Sequence, residues 1–325
     1  MNVGFDTSPL AQTRAGTARY ITNLLRQLEV DVRRFAFGGA GRAATVVRET
    51  LWYPVLLPRV AARARVDVLH CPTYRAPLRS TVPLVVTVHD VAAFRHPETF
   101  NRWTRIVVPL LVPRVLAAAR LVIAVSEFTR RELVELLRVP EAKIRVVPNA
   151  VDTPFAADGA AADGDYVLAV GTLEPRKNLV RVVEAARRAQ VELRVVGARG
   201  WGGVAVHGNG VRWLGEVSDD ELARLYRGAR AVAYPSLYEG FGIPILEAMA
   251  CGAPVVTSAG GATEEVAGGA AVLVDPRDST AIAAGLDEAA QRRDELRQRG
   301  LERARAFSWA AVARATEAVY REASA

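Results

Sequence analysis

Short runs of aliphatic and β-branched residues alternate along the whole chain with stretches whose apolar positions recur every three or four residues. In the first half, NVGFD (2–6), RRFAF (33–37), DVLH (67–70), LVVTVH (84–89), LVIAV (121–125) and IRVV (144–147) predict strands. Helical patterns such as TARYITNLLRQL (17–28) and EFTRRELVELLR (127–138) lie between most of them. Strands that are apolar along nearly their whole length, separated by helices, signal a parallel sheet covered on both faces.

The pattern restarts after VPNAVDTPFAADGAAADGD (147–165), a Pro-, Gly-, Ala- and Asp-rich segment that reads as a linker. Strands are then predicted at YVLAVGT (166–172), ELRVVG (192–197), VRWLG (211–215), RAVAYP (230–235), PVVTS (254–258) and AVLVD (271–275). The expected fold class is therefore α/β, with two successive doubly wound domains and ligands at the carboxyl ends of the strands. A last helical stretch, SWAAVARATEAVYREA (308–323), follows an already complete second sheet and is free to pack on either domain.

A length of 325 residues accommodates two such domains, each with its own core. The longest apolar run, IVVPLLVPRVLAAARLVIAV (106–125), contains Pro109, Pro113, Arg114 and Arg120. A central arginine costs about 2.5–3.5 kcal/mol on membrane insertion, so a buried helix followed by a strand is expected there. MNVGFDTSPL has neither a basic nor a long apolar region of the kind that directs export. Cys71 and Cys251 form no metal or disulfide framework and fit a reducing cytoplasm.

Charge is unevenly spread. Residues 1–150 carry 22 Lys and Arg against 11 Asp and Glu, a net of +11, whereas residues 151–325 carry 20 against 24, a net of −4. A basic first half suits phosphate groups, nucleic acid or an acidic membrane surface, or is a solvated arginine-rich face. Lys143 and Lys177 are the only lysines among 42 basic residues, which singles each of them out.

Two motifs are decoys. GAGRAA (39–44) matches a dinucleotide fingerprint in form but follows the second strand, with no convincing acidic partner on the next one. DGD (163–165) resembles a metal-binding pair but sits in the linker, where turn residues belong anyway. Four other stretches carry more chemistry. RAGTARY (14–20) places Gly16 at a helix start, whose bare N–H groups suit a phosphate, although an ordinary connection also accounts for it. TVHD (87–90) puts His89 at the carboxyl end of a strand, and His70 in VLHCP competes for the same role; either is otherwise a core histidine. GTLEPRKNL (171–179) places Arg176 and Lys177 at the mouth of the second sheet to clamp a diphosphate, with Asn178 available to cap the next helix. In YPSLYEGFGIPILEAMA, Pro244 opens a helix, Glu247 falls in its first turn, and Gly240 and Gly242 let a ligand approach the backbone. Ionised carboxylates accept only, so Glu239 and Glu247 suit hydroxyl pairs. Glu247 could equally complement the helix dipole, which leaves Glu239 unexplained.

Taken in order, RAGTARYITNLL, VVTVHDVAAFRHPE, AVSEFTRREL, VVPNAVD, GTLEPRKNL, WLGEVSDDEL and PSLYEGFGIPILEAMACGAPVV resemble the family-4 glycosyltransferases, retaining enzymes of the GT-B fold. The resemblance covers nearly the whole chain. It implies two Rossmann-like domains facing each other across a cleft: residues 1–152 on the acceptor side, 153–306 binding a nucleotide sugar, and a final helix, 307–325, crossing back to the first domain. It also implies roles. Glu247 holds the donor ribose; Glu239 with Gly240, Phe241 and Gly242 lines the transferred sugar and phosphates; Lys177 and Arg176 neutralise the leaving diphosphate. Gly16 brings a helix N-terminus to those phosphates, and His89 faces the sugar near its reacting carbon. Many relatives have arginine where this chain has Thr172, so the arginine share of the clamp falls to Arg176.

The expected reaction moves a hexosyl group, with retention, from a nucleoside-diphosphate sugar to a hydroxyl of a glycan or lipid-linked carrier. The motif wording favours a mannosyltransferase and GDP-mannose, closely followed by UDP-glucose. The expectation includes no metal and no cofactor beyond the donor, and domain closure that excludes water. The setting is cytoplasmic, with peripheral contact at the inner face of a membrane permitted by the basic first half, and no nucleic-acid partner. The competing readings are a glycoside hydrolase using Glu239 and Glu247 as acid and base, and a non-catalytic nucleotide- or nucleic-acid-binding protein. The first half lacks the aromatic-rich basic stripe that single-stranded nucleic acid requires.

Overall fold

The computed structural model describes residues 1–12, 16–39, 41–204 and 207–325. The chain divides into two compact units, residues 1–149 with 309–325, and residues 150–308.

The first unit is built on β1 (Asn2–Asp6), β2 (Asp31–Phe35), β3 (Val68–Cys71), β4 (Leu84–Val88), β5 (Leu121–Ala124) and β6 (Ile144–Val146). All pairings are parallel, in the order β2-β1-β3-β4-β5-β6. The second is built on β7 (Tyr166–Val170), β8 (Glu192–Val196), β9 (Val211–Gly215), β10 (Ala231–Tyr234), β11 (Val255–Ser258) and β12 (Val272–Val274). Its order, again wholly parallel, is β12-β11-β10-β7-β8-β9. Each strand lies within two residues of the bounds expected from the hydrophobic pattern. The reason is burial: β4, β5 and β10 are covered on both faces and buried at every position. β2 is an edge strand, and three of its five residues, including Arg33 and Arg34, face solvent.

The sequential order reverses between β1 and β3 in the first sheet and between β7 and β10 in the second. At such a point the connections leave in opposite directions and open a crevice above the strand ends. GTLEPRKNL leaves β7 and SLYEGFG leaves β10, so both second-unit motifs flank one reversal. The helix Leu179–Arg188 covers this sheet, burying Val182, Ala185 and Ala186 against Leu193, Val195 and Ile282.

The last helix, Trp309–Ser324, packs on the first unit. His70, fully buried on β3, shares hydrogen bonds with Tyr320 Oη through Nδ1 (2.6 Å) and with Thr87 Oγ1 through Nε2 (2.8 Å). Thr87 Oγ1 in turn lies 3.1 Å from Tyr20 Oη. At the helix flanks, Glu317 accepts from the Glu29 N–H (2.7 Å) and Glu322 pairs with Arg145.

The long apolar run forms the helix Arg102–Ala118 followed by β5. Asn101 caps its start by accepting from the Thr104 N–H, and Lys143 Nζ donates to the carbonyls of Ala117 and Ala119 at its end. One of the two lysines is thereby a C-terminal cap. The expected burial holds for Val112, Val115 and Leu116 but not for Trp103, Ile106 and Leu110, which face solvent in the first half of the helix. No helix among the described residues is long and apolar enough to cross a membrane.

Candidate functional site

The connection leaving β7 is shaped by two glycines. Gly171 has φ +149°, and a Cβ there would press on the aliphatic carbons of Lys177 at 3.2–3.3 Å. A Cβ on Gly197, at the end of β8, would lie 2.0 Å from the Gly171 carbonyl oxygen. The close approach continues the parallel pairing beyond the strands: the Gly171 N–H donates to Val196 O (2.9 Å) and the Leu173 N–H to Ala198 O (3.0 Å). A 3₁₀ turn, Pro175–Lys177, then delivers Arg176 and Lys177 side by side.

Both cations converge on Glu239, from the connection leaving β10. Lys177 Nζ donates to Glu239 Oε1 (2.6 Å) and to Tyr234 Oη (2.7 Å), while Tyr234 Oη donates to the same Oε1 (2.9 Å). Arg176 donates through Nη1 to Glu239 Oε2 and Tyr238 O (both 2.8 Å), and through Nη2 to Glu174 Oε1 (2.6 Å). The side chains of Arg176, Lys177 and Glu239 are only 15, 13 and 9% exposed, so solvent screens these contacts little. Burial alone would raise the Glu239 pKa, but Arg176 and Lys177 outweigh it and bring it down to about 2. Glu239 is thus ionised, with both oxygens held by cations, and has no proton to give as a general acid. In the hydrolase reading Glu239 therefore cannot be the acid.

An ammonium group has three donors, and Lys177 spends two on Glu239 and Tyr234. The third has no partner among the described residues, and the group keeps its 13% exposure. The Ser236 hydroxyl, also buried, lies close enough to Glu239 to help lower its pKa.

The opening of the next helix differs from expectation in detail. The helix runs Ile243–Ala250 with Gly242 as its N-cap, at φ +111°, so Pro244 takes the second position rather than the first. Glu247 is therefore the fifth residue, beyond the first turn, and is buried on the inner face, where it accepts from Tyr226 Oη (3.1 Å). A dipole-complementing role does not describe a buried glutamate at that depth. Phe241 is buried and meets Phe307 edge-on at 6.0 Å, which anchors the Gly240–Gly242 turn. Asn178 does not cap the following helix. It adopts a left-handed conformation (φ +61°), and its amide donates to Pro235 O (2.9 Å) and Pro276 O (2.6 Å), tying the connection from β7 to those leaving β10 and β12.

In the first unit the two histidines separate cleanly. His70 is sealed, with both ring nitrogens engaged, and burial pushes its pKa down to about 3. His89 is half-buried beyond the end of β4. Its Nε2 donates to Pro72 O (2.9 Å), its ring meets Tyr20 edge-on at 4.9 Å, and burial lowers its pKa. With Nε2 donating, the neutral ring leaves Nδ1 as an acceptor. Gly16 begins the helix Gly16–Gln27; Arg14 and Ala15 of the same motif lie outside the described residues. GAGRAA follows the edge strand β2 rather than a strand at the reversal. DGD precedes β7, at the amino end of the sheet, where Asp165 pairs with Arg230 at 3.1 Å.

Tyr234, Glu174, Tyr238, Tyr226 and Ser236 were not singled out from sequence. Tyr234 carried the one available signal: it ends an apolar strand five residues before Glu239.

Residues 14–155 match the model for Glycosyltransferase Family 4, and residues 152–307 match that for Glycosyl transferases group 1. The chain is 30% identical to the O-antigen chain mannosyltransferase B of Escherichia coli, over 95% of this chain and 96% of that protein. Among solved structures it resembles sucrose-phosphate synthase from Thermosynechococcus elongatus, with a TM-score of 0.79 and 21% identity over 99% and 98% of the two chains. It also resembles Anabaena HepE in complex with UDP and glucose, with a TM-score of 0.73 and 19% identity over 99% and 100%. Two wholly parallel sheets flanked by helices, with the last helix on the first unit, are the GT-B architecture.

Proposed function

The chain belongs to the family-4 glycosyltransferases and uses a nucleotide sugar to glycosylate an acceptor; from that premise we propose that it is a retaining hexosyltransferase, with GDP-mannose as the favoured donor. The observation that carries this reading is the cluster at the β7–β10 reversal. Lys177 is held there by a carboxylate and a phenol with one N–H donor remaining. Leaving-group departure makes the diphosphate more negative as the sugar becomes oxocarbenium-like. A cation already fixed in a poorly hydrated setting stabilises that change without reorganising.

In this reading Glu239 has a positioning role as well as lining the sugar, because its carboxylate is what fixes Lys177 and Arg176. Glu247 holds the ribose hydroxyls, oriented by Tyr226, and the Gly240–Phe241–Gly242 turn lets phosphate approach the backbone. His89 and Gly16 keep the roles that the family pattern gives them. The bond from the anomeric carbon to the leaving phosphate oxygen breaks, the bond to the acceptor oxygen forms on the same face, and the acceptor proton passes to the leaving phosphate. No protein nucleophile and no metal enter this scheme.

Mannose is favoured because the motif wording is mannosyltransferase-like and a relative matched over 96% of its own length is a mannosyltransferase. UDP-glucose is the second reading. The acceptor is a hydroxyl of a glycan or lipid-linked carrier, reached from the cytoplasm with peripheral membrane contact through the basic first unit. A thermal-shift screen of UDP, GDP and ADP sugars, followed by product analysis, tests the proposal. Stabilisation by GDP-mannose with an α-linked product supports it; an inverted product, or hydrolysis alone, overturns it.

A further inference from the structure

Apolar exposure is as uneven as charge. Of twelve large apolar side chains that face solvent among the described residues, nine lie in residues 1–149 and three in residues 150–308. The most exposed is Trp103 (71%), and Ile106 (60%) and Leu110 (57%) follow on the same helix, Arg102–Ala118. At about 100° per residue, Trp103, Ile106, Leu110 and Arg114 fall within an arc of about 80°, opposite the buried Val112, Val115 and Leu116. The helix has two apolar faces, and packing within the first unit uses only one.

Arg102 and Arg114 are exposed at the two edges of this stripe, Arg105 is exposed farther round the helix, and the helix contains no acidic residue. Glu98, in the turn before it, is the nearest acid in sequence on that side. Arg114 folds its guanidinium back onto the Leu110 carbonyl, beside the stripe. Both ends are fixed, by Asn101 at the start and Lys143 at the end, so the surface is presented without an ordering cost.

We propose that the outer face of the helix Arg102–Ala118 docks the first unit onto an anionic lipid bilayer, with Trp103, Ile106 and Leu110 entering the headgroup region and the flanking Arg102 and Arg114 meeting lipid phosphates. The composition is that of an interfacial helix: aromatic and aliphatic side chains on one stripe, cations beside it, and no acid. A second copy of the chain is a poor occupant, because a self-complementary contact would set these arginines against one another with no carboxylate from the helix to offset them. The surface gives the peripheral membrane contact of the preceding reading a specific location. It is separate from the second-unit donor cluster, so either proposal can fail while the other holds.

Flotation with vesicles of phosphatidylcholine, alone or with added phosphatidylglycerol, tests it on the full chain. Wild-type protein is expected to float with the anionic vesicles, less so at high salt, and not with phosphatidylcholine alone. W103S/I106S/L110S and R102Q/R114Q should each lower vesicle partition by about tenfold or more. Both should keep the wild-type melting temperature and its thermal shift with nucleotide. The proposal is overturned by wild-type protein that stays with the soluble fraction or by an apolar triple variant that floats as well as wild type. A concentration-dependent dimer abolished by the same triple variant, with no flotation, would assign the face to a second copy and overturn it equally.

Discussion

Lys177 Nζ lies 2.6 Å from Glu239 Oε1, while Arg176 holds the other oxygen of the same carboxylate at 2.8 Å. One glutamate thus fixes two cations that arrive from the opposite side of the chain reversal in the second sheet. Lys177→Ala should lower the transfer rate by about 10²–10³-fold, as expected when a preorganised donor to a developing negative charge is removed. Glu239→Ala should do the same and also destabilise the fold by roughly 3 kcal/mol, because Arg176 and Lys177 are left facing each other nearly buried. Steady-state kinetics with parallel thermal unfolding separates the two effects. A fully active Lys177→Ala enzyme would remove the lysine from the reaction.

The same cluster gives the second unit an acid-sensitive tie. Arg176 and Lys177 together outweigh burial and hold Glu239 at about 2, against an ordinary value of 4.5. A depressed carboxylate contributes stability that is fully present above its unfolded pKa and lost as pH falls toward the folded one. The gap corresponds to about 3 kcal/mol. The stability difference between wild type and Glu239→Gln should therefore be constant near neutrality and shrink as pH falls below 4.5. Denaturant unfolding of both proteins across that range checks it; a difference that grows in acid would mean that the pairing is not what depresses the group.

The strands were readable because burial on both faces leaves an uninterrupted apolar run, and the two second-unit motifs were readable because each follows such a strand. The pairing of Lys177 with Glu239 was not, since the two are 62 positions apart and nothing local reports which sheet neighbours meet. Asn178 misled for a related reason: its position suits a helix cap, but the chain turns left-handed there and spends the amide on Pro235 and Pro276. Periodicity likewise marked the helix Arg102–Ala118 as apolar without showing that only one of its two apolar faces is covered.

His70 was weighed from sequence as a rival to His89, and its environment gives it a different, measurable signature. Burial holds its pKa at about 3, so the folded first unit keeps it neutral while the unfolded chain protonates it near 6.5. Between those values the unfolded state binds more protons, and stability falls as pH drops, by up to about 1.4 kcal/mol per pH unit. Asp6 works in the opposite sense. Burial raises its pKa to about 6, so its contribution is present at low pH and lost as pH rises through 6. Comparing wild type with His70→Gln isolates the histidine. The variant should be less stable near neutrality, since Thr87 and Tyr320 lose an imidazole partner, but should lose less on acidification from pH 6.5 to 4. Equal acid sensitivity in the two proteins would show that His70 is not held neutral.

Gly197 tests how far the geometry of the Lys177–Glu239 cluster depends on a residue outside it. It sits just beyond β8 at φ +151°, and a Cβ there would approach the Gly171 carbonyl oxygen to 2.0 Å. Backbone cannot yield as a flexible side chain does, so Gly197→Ala must push the Gly171–Thr172 segment away from β8. That segment leads directly into the turn that carries Arg176 and Lys177, and it is held by the Gly171 and Leu173 N–H groups donating to Val196 and Ala198. Loss of stability by about 1–3 kcal/mol is expected from the overpacking. Displacing Lys177 from Glu239 and Tyr234 should in addition weaken donor binding and transfer beyond what the stability loss explains. Gly203→Ala supplies the control: its φ is also positive, at +64°, but a Cβ there meets nothing within 4 Å, so any strain is local to its own turn. Calorimetric titration with nucleotide on both variants decides the matter. A Gly197→Ala protein that binds nucleotide like wild type would show that the clamp is positioned by its contacts with Glu239 alone.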